Sequence, residues 1–329
     1  MAFIRKYKLI IGLPLSIGGN FDKQINDTNS NAYVLTDHQI EFEINKSNSA
    51  EANKGYITIT NASDDFVNYL AQNAGKSLAC MLQAGYADQG ITTLFMGGVS
   101  HFEDNWDNSL ITRQTKLTLG DGELALTTAT TARAYRTGTK LNTILNDLLD
   151  DLSLPRGRVI GYSDSEVLKF SKSFNGRASE NLRSLAQATG RTFTVQDNAA
   201  YFTVQGKGLK QQVIELSEET GLIGIPSPRV MSAKQQFELQ KKYDKAKKEE
   251  IKLKYANKED IGLTVTCLLN GALHPELTVY LKSRYVTGFY KIVELSHTGN
   301  YESDGADWVT EAKLAEVSAT LISGSTYEE

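Results

Sequence analysis

Short runs rich in Ile, Val, Thr, Tyr and Phe recur through the first part of the chain, at 6–15, 39–45, 56–61, 77–85, 92–102 and 109–119. Gly, Asn and Asp cluster between them, so the runs read as strands joined by turns. Within this series NASDDFVNYLAQNAG opens on Asn, Ser and Asp, carries Phe66, Val67 and Leu70 along one face, and reaches Gly75 as a stop. That pattern predicts one short helix among the strands. Residues 1–126 are therefore expected to form a mostly β domain.

The period changes near residue 127. In TKLNTILNDLLDDL the positions Leu141, Ile144, Leu145, Leu148, Leu149 and Leu152 repeat at the three- and four-residue spacing of a core-facing helix, which Pro155 ends. A further helix is expected over 179–189, with Leu182, Leu185 and Ala186 on one side and Gly190 as its cap. TFTVQ, the turn Asp197–Asn198 and AAYFTVQ then read as a hairpin. Residues 127–207 thus make a small α+β module of two helices and a hairpin. Strands return in VIELS, GLTVTCLLN, LTVYLKS, GFYKIVELSHTG and DWVTEAKLAEVSAT, which predicts a second β domain over 208–329. The fold class is mainly β with α+β, two β domains flanking or carrying the module.

Residues 232–256 break the pattern. SAKQQFELQKKYDKAKKEEIKLKYA holds eight lysines against four acids, the composition of a solvated helix or ribbon. It is expected to project as an arm.

Composition narrows the class. With 40% hydrophobic and 22% charged residues, a chain of 329 residues folds and buries more than one core. The formal charge of −4 supplies no global basic field for nucleic acid. Cys80 and Cys267 each lie in an apolar strand-like run and are read as two buried thiols, which fits a reducing cytoplasm. The apolar stretch at 9–15 is short and contains Pro14, so it is read as the first strand and not as a secretory signal. No run of about 18 apolar residues marks a membrane span.

The candidate chemistry is sparse. In HFEDNWDN, Glu103, Asp104 and Asp107 surround Trp106, and paired carboxylates beside an aromatic can serve glycoside hydrolysis. Asp and Asn between strands are also ordinary turn formers, and the cluster is read as a turn. His38, His101, His274 and His297 are scattered without a partner at metal-ligand spacing. Gly18–Gly19 and Gly97–Gly98 lack the spacing of phosphate-binding loops and read as turns or bulges, and GDG at 120–122 reads as a turn. Asp307–Trp308 has no propeller repeat around it, so Trp308 is expected as an anchor in the last β domain. No residue is singled out as catalytic, cofactor-binding or metal-binding, and no cofactor is expected.

Two longer patterns carry a resemblance. IELSEETGLIGIPSPRV, GLTVTCLLNGALHPELTVYLKS and GFYKIVELSHTGNYESDGADWVTEAKL resemble the C-terminal part of baseplate hub proteins of contractile-tailed phages, relatives of the hubs of contractile injection systems. ITITNASDDFVNYL and LQAGYADQGITTLFMGGVSHFED are similar to the opening domain of the same proteins, in the same order. The resemblance spans roughly 5–310, leaving out the lysine-rich insertion. It implies two tube-like β-barrel domains per chain and a homotrimer closing into a pseudo-sixfold ring between tail tube and spike. It further implies a structural virion protein of the tail baseplate, assembled in the host cytoplasm, with no enzymatic activity. Its implied partners are the tail tube protein, the central spike protein and other baseplate proteins. The tape-measure protein and DNA would cross the lumen during ejection without sequence-specific binding. The alternative is a host-surface carbohydrate-binding or cell-wall-degrading tail protein built on residues 103–107. A DNA-binding protein would rest on the lysine-rich insertion alone.

Overall fold

A computed structural model describes residues 4–13, 32–49, 51–107, 112–204, 209–228, 262–301 and 307–316. The arm expected over 232–256 and the Gly18–Gly19 turn lie outside the described residues. The chain forms two compact units. The first holds Met1–Gln205, Leu269–Ala272 and His297–Trp308, and the second holds Gly206–Leu268, Leu273–Ser296 and Val309–Glu329.

The first unit begins with β1 (Arg5–Gly12), β2 (Ala32–Leu35), β3 (Ile40–Ser47), β4 (Lys54–Thr60), helix α1 (Asp64–Gln72), β5 (Ala79–Tyr86), β6 (Gly90–Asp107) and β7 (Thr112–Gly120). These strands lie in the order β3-β4-β7-β6-β5-β1-β2, with each of the neighbouring pairs antiparallel. On β3, Ile40, Phe42 and Ile44 are buried while Glu41, Glu43 and Asn45 are exposed, the period of a sheet with one face on a core. Each such Ile or Phe contributes roughly 1.5–3 kcal/mol by leaving water. Strand β5 is buried at nearly every position, so both of its faces are covered. Gly97 fits this packing for a steric reason, because a Cβ there would stand 2.7 Å from the Gly120 carbonyl. Helix α1 starts at Ser63, whose hydroxyl accepts from the Phe66 N–H, and it buries Phe66 and Leu70.

The module follows as α2 (Glu123–Thr128), β8 (Thr130–Tyr135), α3 (Leu141–Leu152), β9 (Arg156–Val159), β10 (Lys172–Arg177), α4 (Ala178–Ala188), β11 (Arg191–Gln196) and β12 (Ala199–Val204). All six apolar positions expected on α3 are buried. They share one core with Leu182, Leu185 and Ala186 of α4 and with Phe193, Val195 and Phe202 of the hairpin. Ser153 ends α3 in the left-handed region at φ 59°, two residues before Pro155. Asp197 and Asn198 also take positive φ, 49° and 60°, as a two-residue hairpin turn requires. The short elements β2, α2, β8, β9 and β10 were not among those expected. They are four to six residues long, too short to establish a hydrophobic period.

The second unit contains β13 (Leu209–Ser217), β14 (Leu222–Pro228), β15 (Gly262–Leu268), β16 (Leu277–Lys282), most of β17 (Thr287–Asn300) and most of β18 (Trp308–Glu316). Its strand order is β14-β15-β18-β17-β16-β13, with β13 and β16 parallel. Leu216, Val265, Cys267, Leu277, Val279, Ile292 and Leu314 belong to its apolar core. Trp308 departs from expectation. It packs in the first unit, edge-on to Phe42 at 5.3 Å, and its indole N–H reaches the Gly85 carbonyl at 3.3 Å.

Candidate functional site

Residues 103–107 are not a turn. They extend β6, in register with β7 as Glu103↔Lys116, Asp104↔Thr115, Asn105↔Gln114 and Trp106↔Arg113. The turn-forming tendency of Asp and Asn is overridden because β7 supplies a ladder partner for each of them. Strand alternation sends Glu103 and Asp104 to opposite faces. Asp104 accepts from the Arg113 guanidinium at 2.8–3.0 Å and from the Thr115 hydroxyl at 2.8 Å. Arg113 also pairs with Asp64 at the start of α1, and its hydrogen bonds hold the Asp104 carboxyl below the usual carboxylate range. Glu103 meets His101 at 3.4 Å on the exposed face. The carboxylates of Glu103 and Asp104 therefore do not converge on one substrate position.

The remaining sequence candidates are dispersed. The His38 backbone exchanges hydrogen bonds with the Tyr7 hydroxyl, and His274 Nδ1 lies 3.3 Å from the Pro275 carbonyl. His297 is fully buried in the first unit, where burial and the nearby Lys46 push its pKa down to about 3. Both cysteines are buried free thiols, and burial raises each pKa. Among the described residues no group of three or more His, Cys, Asp and Glu could hold a metal ion.

A largely buried polar cluster gathers residues that the sequence reading spread over separate strands and turns. Its members are Lys46 at the end of β3, Asn53, Asp121 after β7, and Gln196, Asp197 and Asn198 at the tip of the β11–β12 hairpin. The Lys46 ammonium donates to both Asp197 carboxylate oxygens at 2.7 Å. Asp121 accepts the backbone N–H groups of Asp197 at 2.7 Å and Asn198 at 2.6 Å, and the Asn53 amide at 3.0 Å. Asn53 also donates to Val195 O and Gln196 Oε1, and Gln196 donates to Ser47 O. Burial, then the neighbouring Asp197 charge, push the Asp121 pKa up to about 7. The signal was present in the sequence. In IEFEINKS the inward phase runs Ile40, Phe42, Ile44 and then Lys46.

The second unit holds its own buried ion pair, Lys291 and Glu276 at 2.8 Å, both nearly inaccessible. Exposed apolar side chains concentrate elsewhere. Val34 lies on β2 and Ile223 and Ile225 lie on β14, and each of these strands has one neighbour among the described residues. Trp106 near the end of β6, Phe170 before β10 and Tyr285 before β17 are also exposed, by 64%, 81% and 65%. Unpaired strand edges with apolar side chains suit pairing with another chain.

These features define a mainly β protein with a small α+β module. No family profile matches the sequence, and no curated protein matches it. Solved structures do match the fold. A tail protein from Neisseria meningitidis MC58 superposes with TM-score 0.58 at 11% identity, over 94% of this chain and 96% of that one. The 43 kDa tail protein of prophage MuSo2 from Shewanella oneidensis gives TM-score 0.58 at 10% identity, over 94% and 98%. An Escherichia coli component of the type VI secretion system, described as similar to the bacteriophage tail proteins gp27 and gp5, gives TM-score 0.56 at 12% identity, over 85% and 74%. The chain therefore has the fold of these phage-type tail proteins and of this type VI secretion component.

Proposed function

We propose that this chain is a structural subunit of a phage-type tail baseplate, a non-enzymatic hub whose copies form a homotrimeric ring. The observation that supports it best is the fold match to two tail proteins over nearly the full length of both chains. The ring would join the tail tube protein to a central spike protein, with other baseplate proteins around it. DNA and the tape-measure protein would pass through its lumen during ejection. The protein would be assembled in the host cytoplasm and reside in the virion tail. The exposed Val34, Ile223 and Ile225 on terminal strands suit closure against neighbouring copies, since closure removes edges that otherwise aggregate. Against a glycan-cleaving role, the Asp104 carboxylate is engaged by Arg113 and Thr115.

Mass photometry of the chain reconstituted with its tube and spike partners tests this reading. A trimer is expected, and electron microscopy of finished tails should locate it between tube and spike. A strict monomer, or absence from purified tails, overturns the proposal.

A further inference from the structure

An amine and a carboxyl group held together away from water can lose water and become an amide. The reaction needs contact, escape from full hydration and a fixed geometry. Lys46 and Asp197 meet these conditions. The Lys46 side chain is 2% exposed, and its nitrogen lies 2.7 Å from each Asp197 carboxylate oxygen. Two equal contacts of that length place the nitrogen about 3 Å from the carboxyl carbon, in the carboxylate plane, so rotation of the carboxyl group about its Cβ–Cγ bond is what brings the carbon's open face to the nitrogen. The partners are held from both sides. Lys46 is fixed by its place in β3, and Asp197 is fixed by its N–H bond to Asp121 in a turn with defined positive φ. Asp121 is in turn held by Asn198 and Asn53.

We propose that Lys46 and Asp197 are the site of an autocatalytic intramolecular isopeptide bond, tying the β11–β12 hairpin to β3 within the first unit. The Lys46 ammonium passes one proton to the adjacent carboxylate, leaving a neutral amine and a carboxylic acid. The amine nitrogen attacks the carboxyl carbon, a C–N bond forms and a C–O bond breaks. The second proton leaves the nitrogen with the departing oxygen, so that one water is lost and the amide keeps one N–H. No oxidant, metal or co-substrate is needed. The water can escape because the Asp197 side chain is 31% exposed. Condensation also replaces a buried charge and its partner with a neutral amide, which removes the desolvation cost of the pair. Asp121 is a positioning residue, since it holds the Asp197 backbone and contacts neither reacting atom in the hydrogen bonds described above.

Intact-mass spectrometry of the full-length protein, incubated at neutral pH and raised temperature, tests the proposal. The expected mass is lower than the sequence mass by one water, and digestion should release a branched peptide joining Lys46 to Asp197. Lys46→Arg keeps a cation opposite Asp197 and should retain the full sequence mass. Asp197→Asn tolerates the positive φ of the turn and should form the same bond with loss of ammonia. A wild-type chain that keeps its full mass overturns the proposal. So does a water loss mapped to a succinimide at Asp197, or one mapped to Lys291 and Glu276.

Discussion

Two lysines are buried among the described residues, and they sit in contrasting settings. Lys46 faces Asp197, whose side chain is 31% exposed, inside a cluster of amides and backbone N–H groups. Lys291 faces Glu276 with both side chains nearly inaccessible, and the adjoining Leu277 and Ile292 belong to the apolar core of the second unit. The Glu276 N–H bonds the Ile292 carbonyl at 2.9 Å, which pins the carboxylate beside its partner. In the first unit, the polar groups join two substructures with separate sequence patterns. In the second, the buried ion pair adjoins residues of one strand-built apolar core. A buried charge is tolerated in either setting, but the cost of losing its partner differs.

The largest effect is expected in the second unit. Lys291→Met leaves Glu276 buried opposite an apolar side chain, and urea denaturation should show a loss of about 3–5 kcal/mol. The double variant Lys291→Met/Glu276→Leu should recover most of that loss or exceed the wild type. If the single variant costs less than the ordinary surface substitution, the pair is not desolvated as the structure has it.

A smaller effect is expected in the polar cluster. Asn53→Ala strips donors from Asp121, Gln196 and the Val195 carbonyl at once. Each buried group left unsatisfied costs about 1–3 kcal/mol, but water can enter beside the partly exposed Asp197 and offset part of it. A thermal shift as large as that of Lys291→Met would erase the contrast.

Much of this contrast could have been seen in the chain, and part could not. The alternation on β3 and the stripe on α3 were legible because each repeats over two or more turns or residue pairs. The β11–β12 turn was legible from Asp197–Asn198, residues that accept positive φ. Residues 103–107 misled because local composition favours a turn, whereas the partner that makes them a strand is β7. The polar cluster gathers residues from 46 to 198, and its long-range contacts leave no local spacing to read. Lys46 at an inward phase was the one local sign of it. Trp308 was placed in the wrong unit because the chain returns to the first unit over His297–Trp308 after entering the second.

The pH dependence sharpens the first unit further. The His297 pKa is depressed to about 3, so its contribution is present above the ordinary histidine value and is lost as pH falls from about 6.5 toward 3. The Asp121 pKa is raised to about 7, so its contribution is present below the ordinary carboxylate value and is lost as pH rises from about 4 to 7. Over the shared window the two slopes oppose, and the wild type should be nearly flat in chemical denaturation. His297→Gln removes one slope, so stability should then fall with rising pH, by up to about 1.4 kcal/mol per unit. An unchanged flat profile in that variant would show that Asp121 does not retain its proton in the folded chain.

The smallest effect on stability is expected at Trp106, which separates holding the fold from building an assembly. Its side chain is 64% exposed near the end of β6, and it lies opposite Arg113, whose guanidinium is occupied by Asp104 and Asp64. The indole therefore contributes little to the core, and Trp106→Ser should change unfolding free energy by no more than about 0.5 kcal/mol. A large exposed aromatic is a frequent anchor of protein interfaces, where it is desolvated by the partner. Under the proposed hub function, the variant should fold normally yet form fewer reconstituted assemblies with tube and spike partners, read by mass photometry at matched concentration. Equal assembly yield would remove Trp106 from the interface and leave the terminal strands β2 and β14 as the surfaces to vary next. A loss of stability comparable to Asn53→Ala would instead place the indole in contacts that its exposure denies.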